Sequence, residues 1–452
     1  MSTLGTRNKS PALAELRYGE STVDTLAWTA VFGSEAEKSE ARATIRRLSA
    51  ARSILPASIV SLYDARGRGE VGGFTVPALN LRTLTYDSAR AVFRTARKLA
   101  AGAFIFEIAR SEIGYTAQRP AEYTAVVLAA ALREDWSGPV FLQGDHFQTN
   151  ARKMKTDPAK EVKAIEDLIL EAIAAQFYQI DIDTSTLVDL SRPTLDEQQR
   201  PNFENCAHFT RFIRRHQPRE VAISVGGEIG EVGKANTTPE EFRAYMRGYS
   251  SGLSGEKGIA KVSIQTGSAH GGMVAPDGSL KRMSVDFSAI ETISRIAREE
   301  FGLAGAVQHG ASTLPESDFG LFPSSGAAEI HLATGFQNLV LDHPVFPALL
   351  RETIYRWLND SAADERKQGE TQEQFLYKTR KKALGPFKEA LWNLPVGTRD
   401  AISHDLEEKF AFLFEKLNVG GTQKDVARYV RPVEVAEREL AGAFVRDDEA
   451  GD

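Results

Sequence analysis

The segment Gln143-Gly-Asp-His-Phe147 sets the pattern that decides the fold of this chain. It follows a short apolar run, and two later segments repeat the arrangement, Gln265-Thr-Gly-Ser-Ala-His-Gly271 and Gln308-His-Gly-Ala-Ser312. We interpret each segment as an apolar strand that ends in a glycine-rich turn carrying one histidine. The repetition predicts an enzyme whose site is assembled from the ends of separate strands.

Eight apolar runs of this kind alternate with segments of helical spacing. The predicted strands lie in residues 74–79, 103–109, 140–143, 177–183, 220–225, 260–265, 303–308 and 327–332. Nearly continuous apolar strands separated by helices predict a parallel sheet. Eight such units fit a (β/α)8 TIM barrel in the α/β class better than an open sheet. We therefore expect an N-terminal helical extension over 1–70, a barrel catalytic domain over 71–341 and a C-terminal helical extension over 342–452.

Composition restricts the class of function. The chain has 452 residues, of which 42% are hydrophobic and 26% charged, with a formal net charge of −6. These values are typical of a globular enzyme and make nucleic acid an unexpected partner. Cys206 is the only cysteine, which excludes an intramolecular disulfide and a thiolate-rich metal site. Neither a signal peptide nor a membrane span is evident, so we expect a cytoplasmic protein.

Three histidines form the candidate metal site. His146, His270 and His309 follow the third, sixth and seventh predicted strands, whose ends meet at one rim in a barrel. Three imidazoles and an open position make a catalytic Zn²⁺ site, and one ion per chain is expected. Asp145 precedes the first histidine and can transfer a proton beside the metal.

Other polar residues also fall at or just past predicted strand ends. They are Asn80, Ser111, Asp183, Glu228 and Thr334. Alternative interpretations remain for several positions. Asn80 and Ser111 are also common turn residues, Glu228 is compatible with a structural carboxylate, and Ser312 can cap the following helix.

At these positions the chain resembles the class II, zinc-dependent fructose-bisphosphate and tagatose-bisphosphate aldolases, over about residues 74–340. The motifs that carry the resemblance occur in family order. They are Gly144-Asp-His146, Ile180-Asp-Ile-Asp-Thr-Ser185, Gly227-Glu-Ile-Gly230, Gly267-Ser-Ala-His-Gly271 and His309-Gly-Ala-Ser312.

The resemblance implies a role for each matched residue. His146, His270 and His309 would bind zinc, and Asp145 would be the acid/base. Glu228 and Asp183 match acidic positions that bind zinc in an alternative site or lie beside it. The phosphate of a dihydroxyacetone-phosphate half would be held by the backbone of Gly271, Gly310, Ala311 and Ser312. A divalent cation would stabilise the enediolate charge formed on aldol cleavage, and glycine-rich turns expose N–H groups to phosphate.

The chain also departs from the family pattern. After the eighth strand the family usually has Asn-x-Asp-Thr, whereas this chain has His331-Leu-Ala-Thr334. The lysine common after the third histidine motif is missing from Gly271-Gly-Met-Val-Ala-Pro-Asp277. We therefore expect rebuilt substrate contacts, with His331, Thr334, Asn80 and Ser111 as candidate substrate-binding residues.

The sequence thus predicts metal-dependent aldol cleavage or condensation of a phosphorylated ketose by a homo-oligomeric enzyme of carbohydrate metabolism. The products would be dihydroxyacetone phosphate and an aldehyde. One alternative is a non-catalytic barrel subunit related to tagatose-bisphosphate aldolase. Another is a different zinc-dependent reaction on a sugar phosphate, such as hydrolysis by zinc hydroxide.

Overall fold

The computed structural model describes residues 21–230, 235–267 and 284–435. Its centre is a closed barrel of eight parallel strands in sequential order. The strands are β1 (Val76–Asn80), β2 (Ile105–Ala109), β3 (Leu142–Gln148), β4 (Gln179–Asp183), β5 (Ser224–Glu228), β6 (Lys261–Ser263), β7 (Ala306–Gln308) and β8 (Glu329–Leu332). Pairing of β8 with β1 closes the ring, with His331 beside Ala78. The predicted (β/α)8 barrel is therefore confirmed.

Helices precede, connect and follow the strands. Before and within the barrel they are α1 (Thr22–Phe32), α2 (Glu35–Ala51), α3 (Val60–Gly67), α4 (Thr85–Leu99), α5 (Arg110–Tyr115), α6 (Pro120–Arg133), α7 (Ala151–Thr156), α8 (Pro158–Ala174), α9 (Leu195–His216), α10 (Pro239–Ser251), α11 (Phe287–Phe301) and α12 (Leu321–Ser324). After β8 they are α13 (Thr334–Leu341), α14 (Ala348–Ser361), α15 (Gln372–Thr379), α16 (Lys388–Trp392), α17 (Val396–Lys416) and α18 (Gln423–Tyr429). None of these helices is long and apolar enough to cross a membrane.

Helix α11 shows how local sequence fixes the ends of an element. The side chain of Asp286 accepts hydrogen bonds from the backbone N–H groups of Ser288 and Ala289, which satisfies donors that the first turn leaves unpaired. Gly302 ends the helix with φ of 68°, a left-handed conformation that glycine adopts without the steric cost of a Cβ. The chain then enters β7.

The N-terminal extension closes one end of the barrel. Arg66 of α3 binds the backbone oxygens of Phe74, Ala304 and Ala327 at 2.5, 3.1 and 2.6 Å. Tyr63 of the same helix is buried and hydrogen-bonds Glu329. Helix α3 therefore covers the amino ends of the strands, which leaves the carboxyl ends for the site.

The C-terminal helices pack on the outside of the barrel. Phe410 and Phe414 of α17 contact Phe336 and Phe104, with ring centroids 5.0 and 5.5 Å apart. All four rings are buried. The extension therefore shares the hydrophobic core of the barrel.

Gly144 lies in a strand rather than in the turn expected from sequence, and two further motif glycines also lie in a strand. Gly144 lies within β3, and Gly226 and Gly227 lie within β5. A Cβ on Gly226 would lie 2.3 Å from a carboxylate oxygen of Asp181, and one on Gly227 would lie 2.6 Å from the hydroxyl of Tyr245. These glycines are therefore required by close packing around the strand, and a turn conformation is unnecessary.

Candidate active site

The inside of the barrel is polar from the amino ends of its strands to the carboxyl ends. Six carboxylates there are buried, namely Glu107, Asp145, Asp181, Asp183, Glu228 and Glu329, of which Glu329 is the first residue of β8. Charged groups inside a protein are costly unless they are paired or bind metal. The arrangement of these carboxylates around histidine and lysine therefore decides what the site can bind.

An irregularity in β3 brings Asp145 and His146 to the same place. The register between β3 and β4 shifts between Gly144 and Phe147, and His146 has φ of 39°. Successive side chains of a regular strand point to opposite faces, but a bulge re-aims them. Here His146 Nε2 lies 4.0 Å from Asp145 Oδ1. The predicted metal ligand and the predicted acid/base are therefore neighbours in the site.

One group of possible ligand atoms combines His146, Glu228 and His309, all within 4.8 Å of one another. His146 Nδ1 lies 3.0 Å from Asp183 Oδ2 and 3.3 Å from Glu228 Oε2. Ser263 Oγ lies 2.8 Å from His309 Nε2. Two imidazoles and a carboxylate are a donor set suited to Zn²⁺, and the carboxylate of Asp183 is placed to orient an imidazole.

A second group, formed by Asp181, Glu329 and His331, already contains a cation of the protein itself. Lys261 Nζ donates hydrogen bonds to Asp181 Oδ2 at 2.8 Å, to Gln143 Oε1 at 2.8 Å and to Glu329. The ammonium group neutralises these carboxylates where a metal ion would otherwise bind. This group is therefore a poor candidate for a metal site.

The third group is Asp145, His309 and His331. It can hold a metal ion only if a ring nitrogen of His331 is available as a ligand. Both ring nitrogens of His331 face carboxylates, with Nδ1 2.9 Å from Glu107 and Nε2 2.8 Å from Glu329. Burial lowers the pKa of His331, but Glu107 and Asp145 outweigh it and raise that pKa well above its usual value. Both ring nitrogens of His331 are thus engaged by carboxylates outside this group, so the group of His146, Glu228 and His309 fits an ion best.

The structure thus brings together three of the five predicted ligands and places a fourth, Asp183, against His146. His270 and Gly271 lie outside the described residues. Asp145 is buried, and its Oδ1 also lies 3.2 Å from His331 Nδ1. Burial raises the pKa of Asp145, but the nearby charges of His146 and His331 hold that pKa well below its usual value. These charges favour the ionised form of the carboxylate, which is the form that accepts a proton.

The predicted phosphate loop after β7 contacts the segment that follows β8. Gly310 has φ of 69°, and a short 3₁₀ turn follows over Ala311–Thr313. Ser312 Oγ accepts a hydrogen bond of 2.6 Å from the backbone N–H of Ala333. Ser312 therefore links the two loops, and Thr334 begins α13 directly beside them.

Asn80 and Ser111 lie at neighbouring strand ends. Ser111 is the second residue of α5, and it is partly buried. Asn80 is buried and donates a hydrogen bond to Glu112, which also accepts one of 2.8 Å from the N–H of Ala109. Glu112 in turn binds Arg82, with 2.7 Å between Arg82 Nε and Glu112 Oε1.

Sequence reasoning missed Arg82, Glu112 and the interior ion pairs of Lys261. One signal was present, since Lys261 and Glu329 are charged residues inside segments read as apolar strands. Charged residues at such positions are rarely buried without partners. An ion pair between opposite charges on different strands could therefore have been predicted. Arg82 had no comparable signal, because it follows a strand within an ordinary polar connection.

Comparison with known proteins gives a family match. The model of the family described as fructose-bisphosphate aldolase class-II matches residues 63–390. No curated protein matches the chain in sequence.

Two solved structures with TM-scores of 0.50 and 0.56 share the fold at low sequence identity, and a third aligns with a lower score. The fructuronate-tagaturonate epimerase from Cohnella laeviribosi aligns at 11% identity and a TM-score of 0.56, covering 77% of this chain and 82% of that one. A probable tagatose 6 phosphate kinase from Sinorhizobium meliloti aligns at 16% identity and a TM-score of 0.50, covering 78% and 93%. Fructose-bisphosphate aldolase from Campylobacter jejuni aligns at 18% identity and a TM-score of 0.47, covering 81% and 97%.

Proposed function

Because the chain belongs to the class II fructose-bisphosphate aldolase family, we propose that it cleaves and re-forms a phosphorylated ketose by metal-dependent aldol chemistry. The products of cleavage would be dihydroxyacetone phosphate and an aldehyde. One observation carries the proposal: His146, Glu228 and His309 have ligand atoms within 4.8 Å of one another, directly beside Asp145. We propose one Zn²⁺ per chain, with His270 as a further ligand.

A divalent cation held by His146, Glu228 and His309 would supply Lewis acidity for the negative charge that develops on the former carbonyl oxygen. The chain's own residues supply the rest. Asp145 is an ionised, buried carboxylate that accepts the proton of the C4 hydroxyl and so starts cleavage of the C3–C4 bond. His331, 3.2 Å from Asp145, holds that carboxylate in place. The backbone at Gly310, Ala311 and Ser312 offers N–H groups to the phosphate.

Hydrogen exchange tests this proposal without knowledge of the aldehyde. Metal-loaded protein is incubated with dihydroxyacetone phosphate in D₂O, and deuterium at C3 is followed by NMR. An aldolase exchanges this hydrogen without any aldehyde partner, whereas a zinc hydrolase or a non-catalytic subunit does not. Absence of exchange in metal-replete protein would refute the aldolase assignment.

Metal content separates the catalytic enzyme from a non-catalytic barrel subunit. A scaffold has no need for a complete ligand set, so tightly held zinc favours the enzyme. We expect about one Zn²⁺ per chain, as for a single catalytic site, and its loss in His270→Ala and His309→Ala. The rebuilt contacts at His331 and Ala333 favour a ketose phosphate other than fructose 1,6-bisphosphate, which a screen of phosphorylated ketoses would identify. The cytoplasmic location and the homo-oligomer remain predictions.

A further inference from the structure

The interior of the site is acidic, which poses an electrostatic problem for a phosphorylated substrate. The six buried carboxylates named above face His146, His309, His331 and Lys261. Lys261 is already committed to Asp181 and Glu329. Among the described residues, a phosphate dianion at this rim therefore needs a further cation, and the segment Gly271 to Asp277 contains no lysine.

Arg82 is a guanidinium at the correct edge of the barrel. It follows β1, its side chain is 15% exposed, and it reaches α13, which begins after β8. Arg82 Nη1 lies 3.4 Å from Thr334 Oγ1 and 3.5 Å from Gln337 Oε1. Burial lowers the pKa of Arg82, but Glu112, Tyr115 and Asp145 raise it by more. The side chain is therefore a permanent cation within electrostatic reach of the acid/base.

The hydrogen bonds of Arg82 are unequal on its two sides. Its Nε and Nη2 atoms lie 2.7 and 2.6 Å from Glu112 Oε1, so one edge of the guanidinium is fixed. The contacts of Nη1 with Thr334 and Gln337 are at the outer limit of a hydrogen bond. Because guanidinium carries five N–H donors, the Nη1 side retains capacity for an oxyanion.

Two basic residues of the described C-terminal extension are engaged elsewhere. Arg380 binds Asp342 through two nitrogens at 2.7 and 3.0 Å, and Lys378 binds Glu370 at 2.8 Å. By contrast, Arg82 faces the first turn of α13, where the N–H groups of a helix lack intrahelical acceptors and favour anions.

We propose that Arg82 is a specificity-determining residue that binds the phosphate of the triose-phosphate half through Nη1, beside Thr334. This inference rests on the proposed function for the identity of the substrate, and it assigns the phosphate contact to a side chain that follows β1. Glu112 is a positioning residue, since it orients Arg82 while Asn80 and the N–H of Ala109 hold Glu112.

The test compares Arg82→Gln with a matched control, Arg90→Gln. Arg90 is also partly buried, at 23% exposure, and it pairs with Glu134 at 2.6 Å, but it lies on the outer helix α4. The probe is inorganic phosphate, whose binding to metal-loaded protein is measured by the rise in melting temperature with phosphate concentration. Loss of a hydrogen bond to a charged group weakens binding by about tenfold or more. We expect that loss in Arg82→Gln and unchanged binding in Arg90→Gln.

Arg82→Gln leaves the Glu112 carboxylate without its ion-pair partner, which can prevent folding. A second variant keeps the test decisive if that occurs. The variant with Arg82→Gln and Glu112→Gln restores charge balance and should show the same loss of phosphate binding. In the exchange assay, Arg82→Gln should raise KM for dihydroxyacetone phosphate about tenfold or more, while exchange of unphosphorylated dihydroxyacetone is unchanged.

The outcomes separate this inference from the proposed function. Unaltered phosphate binding in both Arg82 variants, or equal loss in Arg90→Gln, would overturn the assignment of Arg82, as would a wild-type protein that binds no phosphate. If phosphate binding depends on Arg82 but dihydroxyacetone phosphate exchanges no hydrogen, the aldolase proposal fails and the anion site stands.

Discussion

Replacement of Lys261 by methionine should strongly destabilise the protein. Methionine fills a similar volume but removes an ammonium that contacts Gln143, Asp181 and Glu329. The exposure of Lys261, Asp181 and Glu329 is 1%, 6% and 0%, so water cannot take over the lost solvation. Removing one partner of a buried ion pair costs about 3–5 kcal/mol, and we expect a loss of that size at pH 8.

The penalty should depend on pH in a defined direction. In the wild type, burial raises the pKa of Glu329, but Lys261 outweighs it and lowers that pKa to about 2. Without the ammonium, the folded-state pKa values of Glu329 and Asp181 both rise; burial already raises that of Asp181 to about 6, above its unfolded value, and Lys261 is the main group that lowers it. A carboxyl group with a raised pKa binds more protons when folded, so stability is lost as pH increases. The variant should therefore be closer to the wild type at pH 5 than at pH 8.

Urea unfolding followed by circular dichroism at both pH values measures this effect. The control is the variant with Lys261→Met and Glu329→Gln, in which one uncompensated charge is removed. The amide that Glu329→Gln introduces can still bond to Tyr63, and we expect the control to recover at least about 1 kcal/mol relative to Lys261→Met. A loss below about 1 kcal/mol in Lys261→Met at pH 8, or a control less stable than that single variant, would refute the reasoning.

Further predictions concern the candidate site itself. Asp145→Ala should retain zinc but lose at least about 10²-fold in turnover, the scale of a positioned acid/base; normal turnover would contradict its role. His309→Ala should lose zinc by metal analysis, whereas His331→Gln should keep it; zinc loss in His331→Gln would favour the group with Asp145 instead. The pKa of Glu228 is raised to about 7 by burial and Asp183, and the pKa of His146 is raised by Asp145 and Glu228 despite burial. Since zinc must displace these protons, its affinity should increase from pH 6 to pH 8, measured by titration calorimetry in two buffers; an affinity independent of pH would contradict this.

The barrel was predictable because its signal is local and repeated. Each strand is a short apolar run, and each is followed by helical spacing, so the number and order of strands could be read directly. The rim position of Asp145, His146 and His309 followed from the same pattern, because parallel strands of a barrel share one end.

Other features depend on contacts between distant residues and were not predictable in the same way. The cover formed by α3 depends on Arg66 meeting carbonyl groups near residues 304 and 327. The ion pairs of Lys261 join β6 to β4 and β8. The prediction of a turn at Gly144 was wrong, since Gly144 lies within β3. The requirement for glycine at Gly226 depends on a neighbouring strand, because a Cβ there would meet Asp181 of β4.

The irregular strand β3 makes the site sensitive to chain length as well as to residue type. The extra residue between Gly144 and Phe147 lets two consecutive side chains serve one centre. A single deletion there would restore the strict alternation of side chains. In a chain that keeps both Asp145 and His146, one of the two side chains would then point away from the site. Homologous sequences aligned with a one-residue gap at this point should therefore be expected to lack the paired acid/base and ligand, even where both letters are present.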